Sequence, residues 1–138
     1  MAEVVKKPVS QLNFPINIRY HREHAWVRDE GEVLRVGISD YAQNQLGDVI
    51  FVELPRIGDR FRQGDSFGLV ESAKSVSTLY MPVSGEVIGI NPELENTPEL
   101  INQQPYGKGW MLLIRRAEQV DSLSRLLSNE EYRRTLEG

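Results

Sequence analysis

Short runs in which apolar and polar residues alternate, separated by tight-turn signals, restrict most strongly what this chain can fold into. Between residues 33 and 39, Leu34, Val36 and Ile38 alternate with polar or small residues, a pattern typical of a half-buried strand. Gly-Asp pairs at positions 47–48, 58–59 and 64–65 mark turns between such runs. Many short strands with frequent turns predict a sandwich or barrel rather than a parallel α/β sheet. The other predicted strands are Ala25–Arg28, Val49–Leu54, Ser66–Glu71, Val76–Tyr80, Glu86–Asn91 and Trp110–Arg115.

Helices are predicted to be few and short. Ser39 can cap a helix at Asp40–Leu46, and Gly47 follows it as a terminating residue. Near the C-terminus, Ser128 and Glu131 have the spacing of a capping box. One helical turn is also predicted at Pro98–Asn102, and a C-terminal helical segment at Glu118–Leu127 that continues beyond Ser128.

Residues 1–16 have no clear periodicity and contain Pro8 and Pro15, which predicts an extended or loosely ordered leader. The rest, residues 17–138, is predicted to form one domain, because 138 residues suffice for a single sizeable core and not for two.

Composition excludes several classes of function. The net charge of −4 is unfavourable for binding nucleic acid, which normally requires a basic surface. The chain has no cysteine and two histidines, so disulfides, a cysteine nucleophile and a metal site are not expected. No apolar run is long enough to span a bilayer, and no secretory signal is visible, so we expect a cytoplasmic protein that does not bind membranes. No catalytic triad or acid–base pair is recognisable, which predicts a protein that is not an enzyme.

The segment from Phe67 to Gly85 contains two strand-like runs on either side of the small residues Ser72, Ala73 and Ser75, which surround Lys74. A lysine at such a hairpin tip is accessible to a modifying enzyme, and an attached group could move freely. Acylation would replace its charge by a neutral amide on a long stem. By spacing alone, an unmodified and solvated lysine is the favoured interpretation.

Ten short motifs between residues 18 and 136 resemble those of a known family, and one of them contains Lys74. Taken together, these motifs resemble the glycine cleavage system H protein family over nearly the whole chain. They are Glu23–Val27, Val36–Gln43, Leu46–Val49, Phe51–Pro55, Glu71–Lys74, Ser84–Val87, Asn91–Leu94, Pro98–Asn102, Pro105–Gly107 and Gly109–Trp110.

The resemblance implies a mainly β fold, a barrel-sandwich hybrid of two small antiparallel sheets. It implies that Lys74 carries lipoic acid through an amide bond, with Glu71 and Ser72 belonging to the same cofactor site. The protein itself would be a non-catalytic carrier, and the dithiolane of the lipoyl group would supply the chemistry. A lipoate ligase or lipoyl transferase would modify it, and we expect a monomer. Its other partners would be glycine decarboxylase, aminomethyltransferase and dihydrolipoyl dehydrogenase.

Two positions depart from the family pattern. Ala25 stands where H proteins usually have a glutamate, and Thr78 where they usually have an aspartate. In that family, these acids lie near the cleft that shelters the aminomethylated arm. Carboxylates are plausible partners of a cationic amine, so their loss favours a different cargo. The H-protein-like lipoate-binding proteins of bacterial sulfur oxidation, which work with a heterodisulfide-reductase-like complex, are therefore an equal interpretation. A biotin carrier fits less well, because Ala73 and Ser75 stand where methionines usually flank biotinyl-lysine, and an unlipoylated interaction module is a further alternative.

Overall fold

The computed structural model describes residues 6–117 and 122–137, and within this part the strands form two antiparallel sheets. The larger sheet has six strands in the order β1-β2-β3-β9-β8-β5, and the smaller has three in the order β4-β6-β7. This confirms the predicted mainly β architecture of two antiparallel sheets. The strands are β1 (Arg19–Tyr20), β2 (Ala25–Asp29), β3 (Val33–Ile38), β4 (Val49–Glu53), β5 (Arg60–Phe61), β6 (Ser66–Ser72), β7 (Val76–Tyr80), β8 (Gly85–Ile90) and β9 (Leu112–Arg116).

The first and last helices follow the predicted capping signals. Ser39 Oγ accepts a hydrogen bond from the Ala42 amide at 3.1 Å, and Gly47 ends the first helix with φ of 82°. The capping box of the last helix has both bonds, since Ser128 N donates to Glu131 Oε1 and Glu131 N donates to Ser128 Oγ. The described helices are α1 (Asp40–Leu46), α2 (Glu93–Asn96), α3 (Leu100–Gln103) and α4 (Asn129–Glu137), with 3-10 turns at Val9–Gln11 and Leu123–Arg125. No helix in the described ranges combines the length and apolarity needed to cross a bilayer.

Two predicted helices differ in the structure. The helical turn predicted at Pro98–Asn102 begins two residues later in the structure. Residues 98 and 99 form a turn, and α3 starts at Leu100. Of the segment predicted at Glu118–Leu127, residues 118–121 lie outside the described part, and the remainder contains only a 3-10 turn. The helical prediction is wrong there because Leu127 exchanges two backbone hydrogen bonds with Tyr20, of 2.7 and 2.9 Å, which requires extended backbone.

Two apolar cores hold the fold together. Alternation along β2 places Val27 in the main core and Trp26 in a second one, because neighbouring side chains of a strand point to opposite faces. The second core consists of Leu12, Phe14, Ile18, Tyr20, Trp26 and Tyr132. Leu12 and Phe14 of the leader are only 5% and 6% exposed, so this part of the leader packs on the domain. The second core therefore joins the leader, β1, β2 and α4.

Candidate functional site

Lys74 lies at the tip of the hairpin formed by β6 and β7. The pairing of Glu71 with Val76 is the last in the ladder, and Ser72 N donates to the Ser75 carbonyl at 2.8 Å to close the turn. Ala73 and Lys74 form the loop between them, and both are exposed. The Lys74 amine is therefore accessible to another protein, as expected from the sequence.

Ser72 has a structural place in this turn. Its side chain is buried, with 4% of the residue exposed, and its Oγ accepts from the Ser75 amide at 3.3 Å. The hydroxyl oxygens of the two serines are also 3.4 Å apart. Ser72 thus shapes the backbone that presents Lys74 and offers little surface of its own.

Glu71 is half-buried and lies between two exposed apolar side chains. In the register of the small sheet it is paired with Phe51 of β4 on one side and Val76 of β7 on the other. Directly paired residues project to the same face of a sheet, so the three side chains form a row beside the tip. Phe51 is 50% exposed and Val76 59%, so Glu71 is flanked by apolar surface that another protein can contact.

The stem of Lys74 lies against the end of α1. A Cβ placed on Gly47 would be 3.5 Å from Lys74 Cε and 4.0 Å from Nζ, so the stem runs over the Gly47 backbone. Asn102 of α3 holds this backbone, since its Nδ2 donates to the Gly47 carbonyl at 2.8 Å and its Oδ1 accepts from Val49 N at 2.9 Å. Local patterns predict Gly47 as a turn and helix-ending residue and Asn102 as part of a helical turn, but not their place beside Lys74, because that proximity depends on tertiary packing.

A cleft of about 340 Å³ opens beside the tip, between α1 and the β6–β7 hairpin. Its lining is mixed, because aliphatic side chains of α1, β3 and the hairpin alternate with polar groups that include Glu23, His24 and Gln45. Thr78 lines the cleft, whereas Ala25 is buried beside it and is paired with the lining residue Ile38. The lining residues are Glu23, His24, Ile38, Tyr41, Ala42, Gln45, Leu46, Val70, Ser75, Val76, Ser77, Thr78 and Leu79.

His24 has the most constrained environment of the cleft residues. Its φ of 79° is positive, the single such case among the described non-glycine residues. Its Nδ1 is 2.8 Å from the Tyr132 hydroxyl, whose oxygen is 2.7 Å from Ser39 Oγ. Burial lowers the pKa of His24 below its ordinary value, which favours the neutral imidazole near pH 7. His24 belongs to the motif Glu23–Val27, but its role could not be predicted from the sequence, because its partner Tyr132 is 108 residues away.

Comparisons with known proteins identify relatives of this chain. The glycine cleavage H-protein family matches residues 18–138. A glycine cleavage system H protein of Bacteroides fragilis is 48% identical over 88% of this chain and 96% of its own length. One from Rubrobacter xylanophilus is 52% identical over 89% of this chain and 94% of its own length.

A solved structure supports the same relationship at the level of the fold. The crystal structure of a glycine cleavage system H protein from Mycobacterium marinum superposes with a TM-score of 0.80 at 32% identity, covering 90% of this chain and 99% of that one. With an exposed hairpin lysine beside a cleft, and with this similarity over nearly its whole length, the chain belongs to the glycine cleavage H-protein family, whose members are lipoyl carriers and not enzymes.

Proposed function

We propose that Lys74 is the lipoyl-attachment residue and that the chain is the H protein of a glycine cleavage system. The observation that carries the proposal is the exposed Lys74 side chain, which lies over Gly47 beside the cleft that the neighbouring residues Leu46 and Ser75 line. Members of the family carry lipoic acid covalently on a lysine, and this is the lysine at the hairpin tip. We further propose residues 17–138 as the carrier domain and residues 1–16 as its leader.

The residues near Lys74 suit a lipoyl group. Acylation of Nζ removes the positive charge, and Ile38, Leu46 and Leu79 in the cleft can cover apolar parts of the group. The group, when bound, would supply a dithiolane, whose disulfide can exchange with or be opened by the substrates of partner enzymes. Glu71 is proposed to contact the ligase or lipoyl transferase, and Ser72 to shape the turn that this enzyme surrounds.

The proposed partners are glycine decarboxylase, aminomethyltransferase and dihydrolipoyl dehydrogenase. A second candidate, sulfur transfer with a heterodisulfide-reductase-like complex, is favoured by Ala25 and Thr78, which cannot pair with an amine cation. Glu23, however, gives the cleft one carboxylate on its exposed rim. This carboxylate and the similarity to curated glycine cleavage proteins favour glycine cleavage as the first candidate.

The lipoylated protein is expected to support glycine cleavage when mixed with glycine decarboxylase and aminomethyltransferase, with tetrahydrofolate to accept the one-carbon unit and with dihydrolipoyl dehydrogenase and NAD⁺ to reoxidise the arm. Thr78→Asp should raise the rate by a few-fold, because a partly exposed charge contact contributes about 0.2–1 kcal/mol. Thr78→Asn is the matched control, since it has nearly the same shape without the charge. The measurement is release of labelled carbon dioxide from glycine at limiting carrier concentration.

Failure of the lipoylated wild-type protein in this assay, together with failure of Thr78→Asp, would contradict the glycine cleavage proposal. The sulfur-transfer candidate would then be tested with the reduced carrier and a sulfane-sulfur donor. Equal rates for Thr78→Asp and Thr78→Asn would show that the missing carboxylate at this position has no influence on the cargo.

A further inference from the structure

His24, Tyr132 and Ser39 form a hydrogen-bonded chain that begins at the cleft and ends at the first turn of α1. Tyr132 and Ser39 are both completely buried, so each of their polar hydrogens needs a protein acceptor. The Tyr132 oxygen is in contact with His24 Nδ1 and Ser39 Oγ, and Ser39 Oγ also accepts from Ala42 N. Burial raises the pKa of Tyr132, so its hydroxyl carries a proton.

One arrangement of the hydrogens satisfies every group in this chain. Ser39 O–H donates to the Tyr132 oxygen, Tyr132 O–H donates to His24 Nδ1, and Ser39 Oγ remains free to accept from Ala42 N. In this arrangement Nδ1 is an acceptor, so the proton of the neutral imidazole is on Nε2.

The reverse arrangements leave a buried hydroxyl without an acceptor. If His24 Nδ1–H donated to Tyr132, and Tyr132 donated to Ser39, the Ser39 proton would have no acceptor among the described residues. If both His24 and Ser39 donated to Tyr132, the phenol proton would have none. Leaving such a proton unpaired in the interior is costly, so the arrangement with Nε2–H is strongly favoured.

We infer that Tyr132 and Ser39 hold His24 in the Nε2–H tautomer, and that this N–H is the hydrogen-bond donor offered by the cleft to the sulfur end of a lipoyl arm. The contact with the arm rests on the proposed function of Lys74, whereas the tautomer does not. His24 lines the cleft, and its Nε2 has no hydrogen-bond partner among the described residues. Its positive φ fits this role, since strained backbone is retained where surrounding contacts hold a functional side chain.

His24 is placed to contact the sulfur end of a lipoyl arm rather than its amide end. Lys74 Nζ lies at Gly47, just past the last residue of α1, so an amide formed there stays at that end of the cleft. Tyr41, in the first turn of α1, has its ring centroid 5.0 Å from that of His24. Leu46 and Tyr41 are about 7.5 Å apart along the helix axis, at 1.5 Å for each residue. A lipoyl group lying along the cleft from Gly47 therefore brings its sulfur atoms towards His24.

The tautomer can be measured directly on the unlipoylated protein. Long-range proton–nitrogen correlation spectra above pH 7.5 distinguish a protonated from an unprotonated ring nitrogen. We expect His24 Nε2 to be protonated and Nδ1 unprotonated, and Tyr132→Phe to abolish this preference and give a mixture. Tyr41→Phe is the matched control, because it retains the ring beside His24 and leaves the Tyr132 hydroxyl in place. A His21→Gln variant assigns the signals of the two histidines.

The contact with the arm is tested in the same spectra after lipoylation and reduction. The His24 Nε2 and Hε2 signals should shift when the reduced arm is attached, and the shift should be lost in Tyr132→Phe. An Nδ1–H tautomer in the wild-type protein would overturn the inference. So would unchanged His24 signals in a protein whose Lys74 is shown by mass spectrometry to be lipoylated. If Lys74 accepts no lipoyl group, both the proposed function and the proposed contact between His24 and the arm are wrong. The spectra of the unlipoylated protein still decide the tautomer of His24.

Discussion

Lys74→Ala is expected to give a folded protein that a lipoate ligase no longer modifies. The variant removes the amine at the exposed tip, and the turn is closed by Ser72 and Ser75, which remain. Because Lys74 is exposed, the free energy of unfolding should change by no more than about 0.5 kcal/mol. After incubation with ligase, ATP and lipoate, the mass of the wild-type protein should rise by one lipoyl group and that of the variant should not change.

Lys108→Ala is the matched control, because Lys108 is also an exposed lysine and is remote in sequence from the hairpin. Its lipoylation should equal that of the wild-type protein. A Lys74→Ala protein that still gains one lipoyl group would contradict the assignment. A loss of several kcal/mol on the same substitution would instead indicate that the lysine stabilises the fold.

Trp26→Ala should cost about 3–5 kcal/mol in the free energy of unfolding, the typical range for truncating a buried aromatic residue. Trp26 is fully buried in the second core, and its Nε1 donates to the Pro105 carbonyl at 3.0 Å. Gly37 lies directly against its indole, since a Cβ at Gly37 would be 2.7 Å from the ring. Because these groups pack closely around the indole, they can move only little to fill the cavity that the substitution creates. Urea denaturation of the variant and the wild-type protein measures the difference.

Ile57→Ala serves as the control for this prediction, because Ile57 is 64% exposed and its truncation creates no cavity. It should change stability by less than about 0.5 kcal/mol. Equal costs for the two substitutions would show that the second core contributes little to stability.

The sequence predicted those parts of the fold that local patterns determine. The bounds of α1 agree at both ends, because Ser39 and Gly47 are local start and stop signals with a clear physical basis. The hairpin of β6 and β7 and the exposure of Lys74 follow from two strand-like runs on either side of a tip of small residues. These features involve residues close together in the chain.

Features that depend on distant contacts were not predicted. Leu12 and Phe14 have no periodicity, and their burial results from a core built by strands and a helix more than a hundred residues apart. Leu127 lies in a stretch that resembles a helix, and its bridge to Tyr20 favours extended backbone instead. The roles of His24 and Gly47 likewise depend on Tyr132 and Lys74, which only the folded chain brings near them.

The most direct test of the carrier assignment is peptide mapping of the wild-type protein after lipoylation by a ligase. The chain has four lysines, at positions 6, 7, 74 and 108, so each can be assigned separately. Lys6 is the informative competitor, because its Nζ lies 3.2 Å from Oε1 of the cleft residue Gln45. The account predicts one lipoyl group, on the peptide that contains Lys74. A lipoyl group on Lys6, Lys7 or Lys108, or a protein that accepts none, would contradict it.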